Sequence, residues 1–230
     1  MNIKSIVFGV VIILLLILII RYLFSRSTKI DGMKDAKKVT KISADDIDSS
    51  NSNNYAYSCW IYIDDWSYRY GEPKIVLGRL DADLKPSPSI VLGAIENNIK
   101  IETTVYASAQ SKSGSTHTCN VANVPIQRWV NLIVSLYGRT LDVYIDGKLV
   151  RTCVLPGVAK IANNAPVYVT PLGGFSGYTS NIHYYGDAVN PQQAYNIYRA
   201  GYGGSGIGGF PYEIQVSYLK DGEEQGSFTI

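Results

Sequence analysis

Short runs of alternating apolar and polar residues, separated by Gly, Pro, Asn and Asp, dominate the chain from Tyr55 to Tyr185. Successive side chains of a strand point to opposite faces, so this alternation predicts strands that bury one face. Many short strands with almost no helical periodicity predict an all-β fold of two packed antiparallel sheets. The predicted strands are Ala56–Asp64, Lys74–Leu80, Ser89–Ala94, Lys100–Ala107, Thr116–Ala122, Trp129–Tyr137, Thr140–Ile145, Lys148–Leu155, Val167–Leu172 and Thr179–Tyr185.

The segment "LDVYIDGKLV", Leu141 to Val150, has the pattern of a β-hairpin. Its apolar residues at positions 141, 143 and 145 fall on one face of the first strand. Asp146-Gly147 supplies the two positive-φ positions of a type I′ turn. The turn alone accounts for Asp146, so a catalytic role for this residue would need separate evidence.

One short α-helix is predicted near residues 191–200. Asn190 is a favoured N-cap, Pro191 suits the first helical position, and Gln193 completes a capping box. Gly201 ends the helix, because glycine readily adopts the left-handed conformation found there.

The last part of the chain, residues 203–230, is predicted to be a Gly-rich hinge and a C-terminal β-hairpin arm that turns near Asp221-Gly222. Residues 204–209 match G-x-G-x-x-G, but they follow a helix and precede Pro211, which is the wrong context for a dinucleotide loop. An isolated hairpin is only marginally stable in water, so we expect the arm to dock on a partner.

A hydrophobic segment precedes the strand-rich region. Its apolar run starts at Ile6 and, with Arg21 snorkelling, extends to Phe24. As a helix these residues span about 28 Å, close to the thickness of a bilayer core. Ser25-Arg26-Ser27 is a poor cleavage site for a signal peptide. We therefore predict a transmembrane anchor at residues 1–24, embedded in a lipid bilayer through residues 6–24, followed by a polar linker at residues 25–54.

The charges beside this segment predict its orientation. Only Lys4 and the terminal amine precede it, whereas six Lys and Arg residues lie between Arg21 and Lys38. The positive-inside rule then keeps the C-terminal domain on the cytosolic face of a single-pass membrane protein. The sequence also has no Asn-x-Ser/Thr glycosylation site.

The three cysteines are Cys59, Cys119 and Cys153, an odd number that suits a reducing compartment. We expect free, buried or half-buried cysteines, while a bridge between Cys119 and Cys153 stays open if the orientation is reversed. His117 and Cys119 form a His-x-Cys pair, but no further ligands are spaced for zinc and no third group is placed to orient a nucleophile.

Charge also separates the two parts of the chain. Residues 1–40 carry seven Lys and Arg and two acids, a net of +5, and residues 41–230 carry fourteen and seventeen, a net of −3. The globular part is therefore mildly acidic, which argues against binding to nucleic acid.

Four segments resemble the laminin-G-like branch of the concanavalin A-like lectin/glucanase jelly rolls. They are "AYSCWIYID", "QRWVNLIVSL", "LDVYIDGKLV" and the stretch from "VTPLGGFSGY" to the helix ending "YNIYRAG". The resemblance implies a jelly roll over residues 55–202, in which the Asp-Gly turn joins two neighbouring strands. It says little about function, because such folds host many activities.

Catalysis and metal binding find little support in the pattern of acids. Glycan-cleaving members of the family use Glu-x-Asp-x-x-Glu on one strand, and this chain has no such spacing. Glu96 and Glu102 stand alone. Asp64-Asp65 and the pair Asp81 and Asp83 are read as turn residues, because calcium needs several converging oxygen ligands. We expect no enzyme activity, no cofactor and no metal, with a calcium ion left open.

Aromatic side chains offer the candidate contacts for a ligand or partner, since tyrosine and tryptophan can stack on sugars or anchor a protein interface. Tyrosine also simply suits half-buried strands. The candidate residues are Trp66, Tyr68, Tyr70, Tyr178, Tyr184, Tyr185 and Tyr202.

The favoured function is a non-catalytic, membrane-anchored adaptor whose jelly roll and C-terminal hairpin bind a neighbouring protein layer. Its layout resembles single-span jelly-roll proteins of large DNA viruses, which implies a minor capsid protein linking an internal membrane of the virion to the capsid. The alternative is a membrane-anchored lectin that binds a glycan, and a glycoside hydrolase is a remote third.

Overall fold

The computed structural model describes residues 12–13, 15–16, 27–47, 53–81, 83, 85–106, 114–203, 215–220 and 223–229. It confirms an all-β sandwich of two antiparallel seven-stranded sheets with one short helix. The strands are β1 (Ser27–Asp31), β2 (Lys34–Asp35), β3 (Thr40–Ile42), β4 (Tyr55–Asp65), β5 (Lys74–Leu80), β6 (Pro86–Leu92), β7 (Ile99–Tyr106), β8 (Ser115–Val121), β9 (Trp129–Tyr137), β10 (Thr140–Ile145), β11 (Lys148–Val154), β12 (Val158–Ala159), β13 (Val167–Val169), β14 (Ser176–Tyr185), β15 (Gln215–Lys220) and β16 (Glu223–Thr229).

Sheet A has the strand order β1-β14-β4-β9-β10-β11, and β2 also pairs with β14. Sheet B has the order β12-β7-β6-β5-β13-β3, and β8 also pairs with β7. Strands β15 and β16 form a separate two-stranded sheet, as the predicted C-terminal hairpin requires.

The core lies between the two sheets and follows from the alternation in the sequence. On β4, Tyr57, Cys59 and Ile61 face sheet B and are at most 1% exposed. Leu132 and Val134 of β9 continue this layer and are fully buried. Burial of an aliphatic side chain of this size contributes about 1.5–3 kcal/mol, so the two facing layers are the main source of stability.

The outer face of sheet A is covered by helix α1 (Pro191–Arg199). Asn190 and Gln193 form the predicted capping box, each side chain accepting a hydrogen bond from the other residue's backbone N–H at 2.9 Å. Ala194 of the helix is fully buried against a second apolar cluster that includes Ile133 and Tyr144. The helix therefore closes this face of the sandwich.

The predicted turn at Asp146-Gly147 is confirmed, with φ of 50° and 72° at its two residues. Asp146 has a further structural role that the pattern did not reveal. Its carboxylate accepts a hydrogen bond from the backbone N–H of Asn131 at 2.9 Å and forms an ion pair with Arg128. The aspartate thus fastens the turn to β9.

Part of the segment predicted as a polar linker, residues 25–54, pairs with the sandwich. Strands β1 and β2 lie beside β14, and β3 lies beside β13. These strands have two to five residues each, so their alternation is too brief to stand out in the sequence. Their positions are determined by pairing with distant strands and not by a pattern in their own sequence.

Cys119 and Cys153 form a disulfide, which corrects the expectation that both are free. The bridge joins β8 of sheet B to β11 of sheet A and therefore links the two sheets covalently along one side of the sandwich. Counting cysteines could not show this, because the two residues are 34 positions apart and meet only through the sheet topology. Cys59 is free and fully buried, as expected.

The predicted transmembrane segment, residues 6–24, lies outside the described residues except for Ile12, Ile13, Leu15 and Leu16, which are helical and exposed. Within the described parts of the chain, no helix has the length and apolar character needed to cross a bilayer.

The disulfide generates a stability prediction. Because it closes a loop of 34 residues in the unfolded chain, replacing both cysteines (Cys119→Ser and Cys153→Ser) should lower the free energy of unfolding by about 3–4 kcal/mol. Urea denaturation measures the loss. Dithiothreitol should destabilise the wild type by a similar amount and leave the double variant unchanged, and equal sensitivity of both proteins would contradict the assignment.

Candidate binding groove

A groove of about 820 Å³ runs along the outer face of sheet B, the face that helix α1 does not cover. Its floor comes from β5 and β6, and its wall comes from the segment 160–166 and the loop that begins at Pro171. The lining residues are Ile75, Gly78, Leu80, Asp81, Ser89, Lys160, Ile161, Ala162, Asn163, Asn164, Ala165, Pro166, Tyr168, Pro171 and Leu172.

Most of this lining is apolar. Ile75, Leu80 and Ile161 supply aliphatic surface, and Tyr168 is the one aromatic residue among the described residues of the lining. Gly78 leaves space on the floor, since a Cβ added there would meet the Ser89 hydroxyl at an ordinary contact distance of 3.5 Å. Such a surface binds apolar side chains or an extended chain more readily than a strongly hydrated group.

A buried arginine holds the wall of the groove. Arg79 points into the sandwich and is 1% exposed. Its Nε donates to the carbonyl oxygen of Ala165 at 3.0 Å, and one terminal nitrogen donates to the carbonyl oxygen of Asn163 at 2.5 Å. The Tyr57 hydroxyl accepts a longer hydrogen bond of 3.4 Å from the other. The guanidinium fork therefore fixes the backbone of residues 163–165 from inside the core.

Polar contacts also fix the start of this wall. The Ser87 hydroxyl donates to the carbonyl oxygen of Lys160 at 2.5 Å and accepts from the N–H of Ala162 at 3.0 Å. The Lys160 ammonium forms an ion pair with Asp81. The hydrogen bond from Lys160 holds the pKa of the Asp81 carboxyl below its usual range, and the same bond raises the pKa of Lys160.

In each of the two acidic pairs weighed as calcium ligands, one aspartate accepts hydrogen bonds within its loop. Asp81 accepts hydrogen bonds from the N–H groups of Asp83 and Lys85 at 2.9 and 2.8 Å. Asp65 accepts from the N–H and hydroxyl of Ser67, both at 2.8 Å. Among the residues the structure describes, no three His, Cys, Asp or Glu side chains converge as a metal site.

The aromatic residues predicted from the sequence fall in three places, none of them in the groove. Trp66 and Tyr68 belong to the loop after β4, where the Trp66 indole donates to the carbonyl oxygen of Ile95 at 2.9 Å and the Tyr68 hydroxyl donates to that of Gly173 at 3.1 Å. Tyr70 lies in the same loop and is 61% exposed.

Tyr178 and Tyr202 belong to a chain of aromatic rings on the outer face of sheet A. Tyr202 stacks on Trp129 with ring centroids 4.6 Å apart, and Tyr62 contacts both Trp129 and Tyr178. Both predicted residues remain more than two-fifths exposed. Tyr184, by contrast, is buried in the core, and Tyr185 is half-buried beside helix α1.

The groove residues were therefore missed. Asp81 lies 79 residues before Lys160 in the sequence, and only the pairing of β13 with β5 brings their two segments together. One signal was available: Arg79 interrupts an apolar strand, "KIVLGRL", and a charged residue in such a position often has a structural partner nearby.

The laminin G family model, described as the concanavalin A-like lectin/glucanases superfamily, matches residues 36–194. No curated protein matches the chain in sequence. Among solved structures, the receptor binding domain of botulinum neurotoxin C/D mosaic serotype is similar, with a TM-score of 0.55 and 9% identity over 74% of this chain and 43% of that chain.

Two further similar structures show the binding domain of botulinum neurotoxin DC. One is in complex with SialylT, with a TM-score of 0.52 and 12% identity over 70% of this chain and 41% of that chain. The other is in complex with rat synaptotagmin II, with a TM-score of 0.50 and 12% identity over 70% and 42%. The chain spans about two-fifths of these domains, and the likeness shows the fold alone.

The role of Arg79 predicts the effect of a conservative change. In Arg79→Lys, a single ammonium replaces the fork and cannot reach both carbonyl oxygens, so the free energy of unfolding should fall by about 3 kcal/mol. Hydrogen exchange should also speed up at residues 162–165. Arg139→Lys is the matched control, because Arg139 also donates to a carbonyl oxygen but is exposed; an equal loss in both variants would contradict the special role of the buried fork.

The ion pair of Asp81 predicts a pH dependence. The folded-state pKa of Asp81 is lowered, so its contribution to stability is present above its unfolded pKa and disappears as the pH falls through the folded value. Asp81→Asn should therefore destabilise the protein at pH 7, and the difference from the wild type should shrink below about pH 4. Thermal unfolding at a series of pH values measures this, with the exposed Asp83→Asn as control; a difference independent of pH would refute it.

Proposed function

Since the chain belongs to the concanavalin A-like lectin/glucanases superfamily, we propose that it is a non-catalytic binding protein. Its groove on sheet B takes an extended, apolar segment of a partner protein. The observation that carries this proposal is the lining itself, in which aliphatic residues, prolines and one tyrosine surround a single ion pair.

The chemistry of the groove argues against glycan hydrolysis. That reaction needs two carboxyl groups about 5–9.5 Å apart with opposite protonation states. Asp81 is the one carboxylate in the described lining of the groove, and its pairing with Lys160 keeps it ionised. A carboxylate held in this way is a poor proton donor, so we assign no catalytic residue.

The fold is compatible with binding to proteins and to glycans. A botulinum neurotoxin binding domain of similar fold forms complexes with rat synaptotagmin II and with SialylT. A lectin is therefore the second candidate. Tyr168 could stack on a sugar ring, with Asn163 and Asn164 beside it as hydrogen-bonding groups. One aromatic residue among mostly aliphatic surface favours a protein segment instead.

We further propose that residues 6–24 anchor the protein in a lipid bilayer, which would make it an adaptor between a membrane and a protein layer. The support is the apolar run and its charged flanks. A place in a virion, as a minor capsid protein beside an internal membrane, extends the same proposal and is supported by the layout of anchor and jelly roll.

Two features give opposite indications of which side of the membrane the folded domain occupies. The positive flank after residue 20 predicts a cytosolic domain. The disulfide between Cys119 and Cys153 is of a kind that persists in oxidising compartments. Protease protection of the full chain in cell membranes decides between them; a domain outside the cytosol would favour the lectin, and a cytosolic one the adaptor.

The groove can be tested by filling it. Gly78→Leu should weaken binding without a backbone clash, because a Cβ fits there. Peptides selected on the full-length protein from a displayed random library should be extended and apolar. Gly78→Leu should lower their affinity at least tenfold, which corresponds to a loss of about 1.4 kcal/mol of binding free energy. Binding is measured by fluorescence anisotropy.

Asn120→Leu is the matched control, because Asn120 is exposed on β8 of the same sheet and lies outside the groove. It should bind the selected peptides as the wild type does. Selection of no peptide, together with binding on a glycan array that Tyr168→Ala removes, would replace the adaptor by the lectin.

A further inference from the structure

One end of the sandwich gathers exposed apolar side chains on four different loops. The loops at residues 32–39, 66–73, 93–98 and 170–175 meet there, as the backbone hydrogen bonds from Gly71 to Ala94 and from Phe175 to Ala36 show. An isolated exposed aliphatic residue needs no explanation, but a cluster at one end marks an interaction site. The exposed side chains are Met33 (57%), Val39 (58%), Tyr70 (61%), Ile95 (60%) and Leu172 (78%).

The most exposed of these, Leu172, stands on a loop with an unusual backbone. Thr170 and Leu172 have φ of 47° and 56°, in the left-handed region that costs non-glycine residues about 1 kcal/mol or more. The conformation is held by contacts from a neighbouring loop: Arg69 donates to the carbonyl oxygen of Leu172, and Tyr68 donates to that of Gly173. The loop thus keeps the apolar side chain of Leu172 exposed to solvent in a fixed backbone conformation.

A lysine-rich segment adjoins the loop that carries Leu172. Residues 33–41, "MKDAKKVTK", contain four lysines and one acid. Their backbone is joined to the Leu172 loop, because the Thr170 hydroxyl donates to the carbonyl oxygen of Lys38 at 2.8 Å. Asp35 is half-buried and accepts a hydrogen bond from the N–H of Lys37 at 2.9 Å. The lysine patch, as we call it, consists of Met33, Lys34, Lys37, Lys38, Val39 and Leu172. Lys41 is left out, because its ammonium lies over the ring of Tyr168 in the groove.

The other loops at this end do not share the positive charge. Glu72 is paired with Arg69, and Asp65 is bound by Ser67. Glu96 is an exposed acid on one of these loops, and Asp64 is an exposed acid at the end of β4. The excess of cations is therefore confined to the lysine patch, next to Met33, Val39 and Leu172.

We propose that the lysine patch docks on the surface of an anionic phospholipid bilayer. Leu172 and Val39 enter the boundary between headgroups and acyl chains, and the lysine ammonium groups contact lipid phosphates. Aliphatic side chains on separate loop tips, rimmed by long flexible cations, suit a fluid and laterally adaptable surface. An acidic protein would instead require a shaped pocket for these tips.

This contact is separate from the predicted anchor. Ser27, at the start of β1, pairs with Tyr185 at the end of β14, whereas Lys34 and Asp35 pair with Thr179 and Tyr178. At about 3.3 Å per residue, the patch lies about 23 Å further along β14 than the point where the chain enters the sheet. The proposal therefore goes beyond the groove and concerns a second contact, which the folded domain makes by itself.

The test uses the full chain with its N-terminal segment held in nanodiscs of neutral phosphatidylcholine, so that only the folded domain is free to bind added vesicles. Vesicles with 30% phosphatidylserine should bind, and neutral vesicles should not. Lys38→Gln should lower the affinity for anionic vesicles about fivefold, because one lysine near an anionic surface contributes about 1 kcal/mol. The double variant Lys38→Gln with Leu172→Ser should lower it at least fiftyfold, because an apolar contact is lost as well. Co-flotation and light scattering measure these affinities.

The matched control removes one charge and one exposed aliphatic side chain elsewhere. Arg151→Gln with Val154→Ser changes two exposed residues of β11 and should bind as the wild type does. Equal loss in both double variants, binding to neutral and anionic vesicles alike, or no vesicle binding by the wild type would each overturn the proposal. Competition by polyglutamate without vesicle binding would assign the patch to an acidic protein and overturn it as well. Because the groove test uses Gly78→Leu, either idea can fail alone.

Discussion

The burial of one face of each sheet against the other is the constraint on which the rest of this structure depends. Alternate residues of β4 and β9 are buried in the core, and the residues between them lie on the outer face of sheet A. Each sheet therefore has an outer face that this core does not cover. The outer face of sheet A is covered by helix α1 and by a layer of aromatic rings. Sheet B has no helix over it in the described part of the chain, and the segment 160–166 covers only its margin. The groove is the result of this asymmetry between the two sheets.

A charged side chain inside the core makes the groove rigid. Arg79 lies between the sheets, yet the atoms it binds are backbone oxygens of the groove wall. Placing a guanidinium there is costly unless its hydrogen bonds are made, so the wall has little freedom to move away without leaving a buried cation unpaired. The shape of the outer surface is in this way controlled from the interior, a more stable arrangement than a wall held by surface contacts alone.

The sequence was informative where structure is decided by neighbours along the chain. The turn at Asp146-Gly147, the capping box of Asn190 and Gln193 and the long strands such as Trp129–Tyr137 all follow from local pattern. It was uninformative where distant segments meet. Nothing local pairs Cys119 with Cys153, places Asp81 beside Lys160 or brings Thr170 to Lys38. Of the aromatic candidate contacts, Tyr184 is buried in the core, whereas Tyr70, Tyr178 and Tyr202 are exposed. The sequence could not separate the two groups, because tyrosine suits a half-buried strand as well as an interface.

The pairing of β1 with β14 has a mechanical consequence. The chain enters the sheet at Ser27 and runs antiparallel to its neighbour for the length of β1, so a tether attached before residue 27 pulls along the strand axis when the opposite end of the sandwich is held. Force in that direction shears several backbone hydrogen bonds together rather than peeling them one after another. A domain loaded in this way resists extension better than one pulled across its strands.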